Sequence, residues 1–348
     1  MSGLDWPDAL FDPLGDYTMA PLSPHLPLAL EALGSWATGK THIVELTASE
    51  REAMARWRIE TAFEDLSAPT VFQTLYREVF QRQKKAIEAV RDDLAYLDVA
   101  SRYYKGAAVI QTVLKGEPFS VMRDIDILVP PERASLARAL LLRHGFEQSD
   151  FDITSKNLRS TEPARIAAYE SGSYELYAFS KIERFKAPPE LVRCPDLWQR
   201  APIWLDNDEV VLLITVDVHL RAANDIPVEP LWTGSPDRPF VDPSVEAWLL
   251  ATRYYLDLVR QQPRPVLRDL FYLARLFPKA DLSRCLDLAT RYETLPALFY
   301  TYETLRQFGM PGAPMDERCL TLGDRRNDFG WQYGRLCGRL DGPPAFVA

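Results

Sequence analysis

Two aspartates one residue apart, Asp124 and Asp126, lie in the run Arg123-Asp124-Ile125-Asp126-Ile127-Leu128-Val129. In an extended strand alternate side chains share a face, so both acids project to one side among apolar neighbours. Two carboxylates this close repel each other and are costly to desolvate. A divalent cation removes both penalties. Oxygen-rich pairs of this kind suit Mg²⁺ or Mn²⁺, which take further ligands from substrate phosphates. Standing alone, such a pair is also compatible with two solvated acids at a sheet edge.

A third acid changes the balance. Asp217 follows the apolar run Val210-Val211-Leu212-Leu213-Ile214-Thr215-Val216. A run this apolar is expected to be a central strand buried on both faces, where an aspartate needs a partner or a ligand. If the two strands are neighbours, Asp217 completes a carboxylate trio. Such a trio can hold two metals roughly 3.5–4 Å apart for an in-line displacement. The competing reading places Asp217 past the strand end, capping the loop toward Arg221. His219 shares a strand face with Asp217, so it orients that carboxylate, touches a substrate or fills a polar core position.

These residues need elements to position them. Strands are expected at Val121–Val129, Ser173–Phe179 and Val210–His219. Helical periodicity covers 48–66, 70–97, 107–114 and 133–144, with Gly145 ending the last of these. Helical pattern returns after Pro243, over 245–260, 266–277, 282–292 and 295–308. The fold class expected is therefore α+β, a small mixed sheet flanked by helices. Its organisation is read as an N-terminal helical region, 1–98, a mixed core, 99–240, and a C-terminal helical region, 241–348. About the first 45 residues and the tail from Gly309 carry no clear pattern.

With 348 residues, of which 47% are hydrophobic and 26% charged, the chain can bury a sizeable core. The net charge of -9 argues against non-specific binding to nucleic acid or an anionic membrane. Four scattered cysteines with no C-x-x-C pair argue against structural zinc and against a disulfide framework. No apolar stretch approaches the roughly 20 residues of a membrane span, and no secretory signal opens the chain. A cytoplasmic protein is expected.

Together, Lys105-Gly106-Ala107-Ala108, the segment 123–129, His144-Gly145-Phe146, Val216-Asp217-Val218-His219 and Leu267-Arg268-Asp269-Leu270 resemble a bacterial family of uncharacterised nucleotidyltransferases in the polymerase-β superfamily. The likeness spans residues 75–308. It implies a polymerase-β-like core in which Asp124 and Asp126 bind both metals and Asp217 is the third carboxylate, beside the attacking hydroxyl. It also implies Lys105 and Gly106 as nucleotide-binding residues: Gly106 lets backbone approach the phosphates, the helix N-terminus favours them, and Lys105 neutralises them. Lys105 as a surface lysine is the alternative. Arg123 binds phosphate or anchors the strand. The chain departs from the family form at Asp217, where Glu is frequent, and at Leu220, where an aromatic is frequent. The activity implied is transfer of a nucleoside monophosphate from an NTP such as ATP to a hydroxyl of a small molecule, peptide or sugar, as in a biosynthetic step. Two alternatives stand beside it. One is a toxin-like nucleotidyltransferase acting on tRNA or protein, for which Lys181, Arg184, Lys186 and Arg193 would form a basic groove unless they lie in a solvated loop. The other is a non-catalytic nucleotide-binding module.

Overall fold

A computed structural model describes residues 24–316 and Leu320, apart from 41, 66–67, 194–200, 223–225, 227–228, 233–238 and 260–266. Most of the unassigned N-terminal stretch and of the tail lies outside these residues, as do Arg260 and Val266 at the ends of two expected helices. The described residues form an α+β structure with eleven α-helices around a small mixed sheet.

The N-terminal helices are α1 (Leu26–Ala37), α2 (Ala48–Arg56) and α3 (Val71–Tyr96). Then come β1 (Arg102–Tyr104), α4 (Lys105–Thr112), β2 (Ile125–Leu128) and α5 (Ala134–Arg143). A hairpin of β3 (Ser149–Asp152) and β4 (Asn157–Ser160) leads to α6 (Pro163–Gly172), β5 (Phe179–Lys186), α7 (Pro189–Val192), β6 (Ile203–Asp206) and β7 (Glu209–His219). The C-terminal helices are α8 (Pro243–Val259), α9 (Leu267–Leu276), α10 (Leu282–Arg291) and α11 (Leu295–Gln307).

β7 is the axis of the sheet. It pairs antiparallel with β5 along one edge, from Lys186↔Glu209 to Phe179↔Val216. Its N-terminal half pairs antiparallel with β6, and its C-terminal end pairs parallel with β2. β1 closes the other side of β2, antiparallel. The apolar run of β7 is buried on both faces only at its start; from Leu213 the face carrying Leu213, Thr215 and Asp217 is half-buried and the opposite face fully buried. One hydrophobic core joins the sheet to both helical regions, from Leu33 of α1 through Ile127 and Val216 to Trp248 of α8.

Several expectations are corrected. The helix from Ala48 stops at Arg56 instead of 66, although it begins on a complete Thr47–Glu50 capping box. Arg58 then takes a left-handed backbone, φ 58°, which breaks the helix and turns Ile59, Ala62 and Phe63 into the core. The strand around the aspartates is short, Ile125–Leu128, so Asp124 precedes it. Ser173–Phe179 is not a strand, and β5 only begins at Phe179. Lys181, Arg184 and Lys186 lie in that strand, not in a loop; its charges suit an edge position whose stability comes from pairing with β7. The β3–β4 hairpin lacks apolar alternation and was not expected. It is anchored by Phe151 stacking on Trp204, 4.2 Å between ring centroids.

Candidate functional site

β2 and β7 run parallel with Asp126 directly opposite Asp217 and Leu128 opposite His219. On the other side of β2, Tyr104 faces Asp126. Neighbouring strands in a sheet lie about 4.8 Å apart, so the register alone brings the two acids side by side. Asp126 is buried and Asp217 partly so. The reading of Asp217 as a loop cap past the strand end is thereby excluded, since it sits inside β7.

The two carboxylates have opposite electrostatics. Burial alone would raise the Asp126 carboxyl, but Lys105 and His219 outweigh it and hold the group well below the usual carboxylate range. Lys105 Nζ donates to Asp126 Oδ1 at 2.8 Å, and His219 Nε2 lies 2.6 Å from the same oxygen. Burial would also lower the Lys105 ammonium, yet Asp126 raises it overall. Asp217 receives no such help. Burial, then the charges of Asp126, Asp124 and Glu175, push its carboxyl up to about 8. A site with one ionised acid and one acid kept protonated by its neighbours is primed to accept positive charge.

His219 is fully buried between aromatic rings, stacked on Tyr174 at 5.6 Å and edge-on to Tyr104 at 5.3 Å. A 2.6 Å contact to a carboxylate requires a proton on Nε2, so Nε2–H donates to Asp126, and the 3.1 Å approach of Lys105 Nζ to that nitrogen is proximity between two donors. Its Nδ1 lies 3.3 Å from Glu175 Oε2 without hydrogen-bond alignment. His219 thus orients a carboxylate, but the one on the neighbouring strand instead of its own Asp217. Its burial leaves it no route to a substrate.

The Lys105-Gly106 pair is also arranged differently from what was expected. Both residues lie inside the first turn of α4, and the left-handed residue is Lys105, φ 50°. Gly106 has an ordinary backbone, and a Cβ there would meet only Met122 Sδ at 4.0 Å. Glycine is not needed for the conformation, and the space beside it is open. Tyr104 offers α4 no side-chain cap. Instead the buried Glu246 of α8 accepts the Lys105 backbone N–H across the core, satisfying one of the first-turn donors of α4. The Lys105 ammonium is held from within the chain by the Asp126 carboxylate. Sequence reasoning missed Glu246; an acid in the first turn of an amphipathic helix looks like ordinary dipole compensation.

Among the described residues no three His, Cys, Asp or Glu side chains form a ready-made metal cage. The donor set nonetheless fits a hard divalent cation. It consists of carboxylate oxygens that repel one another, and such ions keep several ligands from water and phosphate. Asp124, Asp126 and Asp217 would hold it. Arg123 is exposed just ahead of Asp124.

No family model, curated protein or solved structure matches this chain.

Proposed function

We propose that this chain is a metal-dependent nucleotidyltransferase. It moves a nucleoside monophosphate from an NTP to a hydroxyl of a small molecule, peptide or sugar and releases pyrophosphate. The observation that carries the reading is the pairing of Asp126 with Asp217 across parallel strands, with Asp124 two residues before and the Asp217 carboxyl pushed up to about 8. Mg²⁺ or Mn²⁺ held there supplies charge neutralisation for the triphosphate and the leaving pyrophosphate. A cation bound there would displace the Asp217 proton, and the carboxylate so formed is suited to take the proton from the acceptor hydroxyl. Lys105 and His219 keep Asp126 ionised and in place.

A specific observation favours a second reading. Lys105 already compensates Asp126 from within the chain, so the fold is electrostatically closed at that residue without a metal. A non-catalytic nucleotide-binding module is consistent with this. The toxin-like alternative draws less support, since Arg184 pairs with Asp206 at 2.7 Å, and Lys181 lies 3.9 Å from Glu183 and over the Phe146 ring. Two of the four basic residues of that expected groove thus face partners within the chain, while Lys186 and Arg193 are exposed.

Melting curves with Mg²⁺ and each NTP, followed by transfer of label from α-³²P NTPs into pools of small acceptors, separate these readings. Transfer that falls at least a hundredfold in Asp124→Asn and Asp217→Asn supports catalysis. Stabilisation by NTP with no transfer in wild-type protein overturns it in favour of the module.

A further inference from the structure

The buried stripe of α3 runs through Val79, Phe80, Ala86, Ile87 and Val90, and in its middle stands a glutamine, Gln83, with no exposed surface. Spacings of three and four residues make position 83 a core position, where an apolar side chain is expected. Its amide reaches across the core: Nε2 donates to the Met122 carbonyl at 3.0 Å. Its Oε1 is buried without a hydrogen-bond partner. A buried amide satisfied on one side only costs stability, and residues that break a local rule in this way concentrate where function requires them.

The segment that Gln83 meets is irregular. Residues 117–124 form neither helix nor strand, yet Phe119 to Met122 are all buried. Backbone polar groups in such a segment need partners from other elements. Near its start the Phe119 carbonyl accepts the Thr61 N–H at 3.0 Å, and the Phe119 ring packs on Tyr272 of α9, 4.9 Å between centroids. Near its end stands the Gln83 bond. Met122 is the last buried residue before the exposed Arg123 and the half-buried Asp124. β2 starts only at Ile125, where its register with β7 opens, and its register with β1 reaches back only to Asp126. Gln83 therefore clamps the chain where it leaves the core, two residues ahead of Asp124. Without that bond the Met122 carbonyl loses its partner one residue from solvent, and an outward swing of 122–124 is its shortest route to water.

We propose that Gln83 is a positioning residue for Asp124: by holding the Met122 carbonyl it fixes where the Asp124 carboxylate stands relative to Asp126 and Asp217. The inference rests on the reading of these three acids as ligands of a divalent cation. Being fully buried, Gln83 meets no substrate; it acts through the backbone beside the ligand. Losing a group that orients a metal ligand typically weakens metal binding about tenfold to a hundredfold. A glutamine that serves only the buried carbonyl behaves differently: its loss lowers stability and leaves the cation affinity unchanged.

Mn²⁺ alone is the probe, titrated into the full chain, with electron paramagnetic resonance measuring the free ion and urea unfolding recording stability. Wild-type protein is expected to bind Mn²⁺, and Asp124→Asn to bind it far more weakly. Gln83→Met, close in length but without the donor, should weaken binding about tenfold in protein that remains folded. Gln73→Met is the control, since Gln73 is also buried on α3 and its amide reaches Glu117 at 3.4 Å, ahead of the clamped end. It should bind Mn²⁺ like wild type. Gln83→Asn keeps an amide but is one methylene too short for the bond, so it carries the test if Gln83→Met does not fold. Wild-type affinity in a folded Gln83 variant overturns the positioning role while the loss in Asp124→Asn leaves the metal reading standing. Equal weakening in Gln73→Met and Gln83→Met also overturns it, because a loosened core then suffices. No binding by wild type, or unchanged binding by Asp124→Asn, overturns the metal reading and the inference with it.

Discussion

Asp126 and Lys105 form a mostly buried ion pair, and His219 adds a second donor to the same oxygen. Removing one member of such a pair leaves a charge with reduced compensation in a low-dielectric place, which typically costs about 3–5 kcal/mol. Lys105→Met is therefore expected to destabilise the protein by about 3–5 kcal/mol. The double variant Lys105→Met/Asp126→Asn should recover part of that loss, because no charge is then stranded. Urea unfolding of the two proteins measures the difference. Equal stabilities would show that His219 alone compensates Asp126. Both partners of the pair were singled out in the sequence, yet their partnership was not. The lysine is one position before a glycine at a helix start, a context that suggested a phosphate.

At the scale of elements, the most informative feature is where α2 ends. Its apolar spacing continues through Ile59, Ala62 and Phe63, so periodicity extends the helix toward residue 66. What stops it is tertiary. The carbonyl of Trp57 is taken by α9, and the N–H of Thr61 by the carbonyl of Phe119. The left-handed Arg58 is the local cost, about 1–2 kcal/mol for a residue with a Cβ. Arg58→Gly removes both the backbone strain and a crowded charge. It is expected to raise stability by on the order of 1 kcal/mol. Chemical denaturation measures the change; a destabilised variant would show that the fold depends on the Arg58 side chain. Lys105 presents the same pattern, a left-handed lysine at the start of α4, and its side chain reaches Asp126.

Across the whole molecule, charged and buried groups run without a break from the sheet into the C-terminal helices. Asp126 meets Lys105, whose backbone meets Glu246; Glu246 neighbours Arg253, and Arg253 pairs with Asp269. Burial first, then the Asp126 charge, raise the Glu246 carboxyl to about 8. At neutral pH it is mostly a neutral acid, and its Oε2 has no hydrogen-bond partner. Its folded value is above its unfolded value of roughly 4.3, so its contribution to stability is fully present below about pH 4 and is lost as pH rises toward 8. The expected loss is on the order of a few kcal/mol. Glu246→Gln keeps an acceptor for the Lys105 N–H and cannot ionise. Its melting temperature should therefore fall less than that of wild type between pH 5 and pH 8, roughly the window set by those two values. Parallel pH profiles for the two proteins would show that Glu246 is ionised throughout.

The sequence by itself determined the α+β class, the long α3, the central apolar strand and the three aspartates within it or beside it. Those features are local: a period of 2 or 3.6, a capping residue, an acid among apolar neighbours. Only the tertiary structure decided the parallel register that sets Asp126 against Asp217, and the partners of Lys105, His219 and Glu246. Pairing register and long-range charge contacts depend on how separate segments pack, and the composition and spacing of any one segment carry no record of which distant residue will face it.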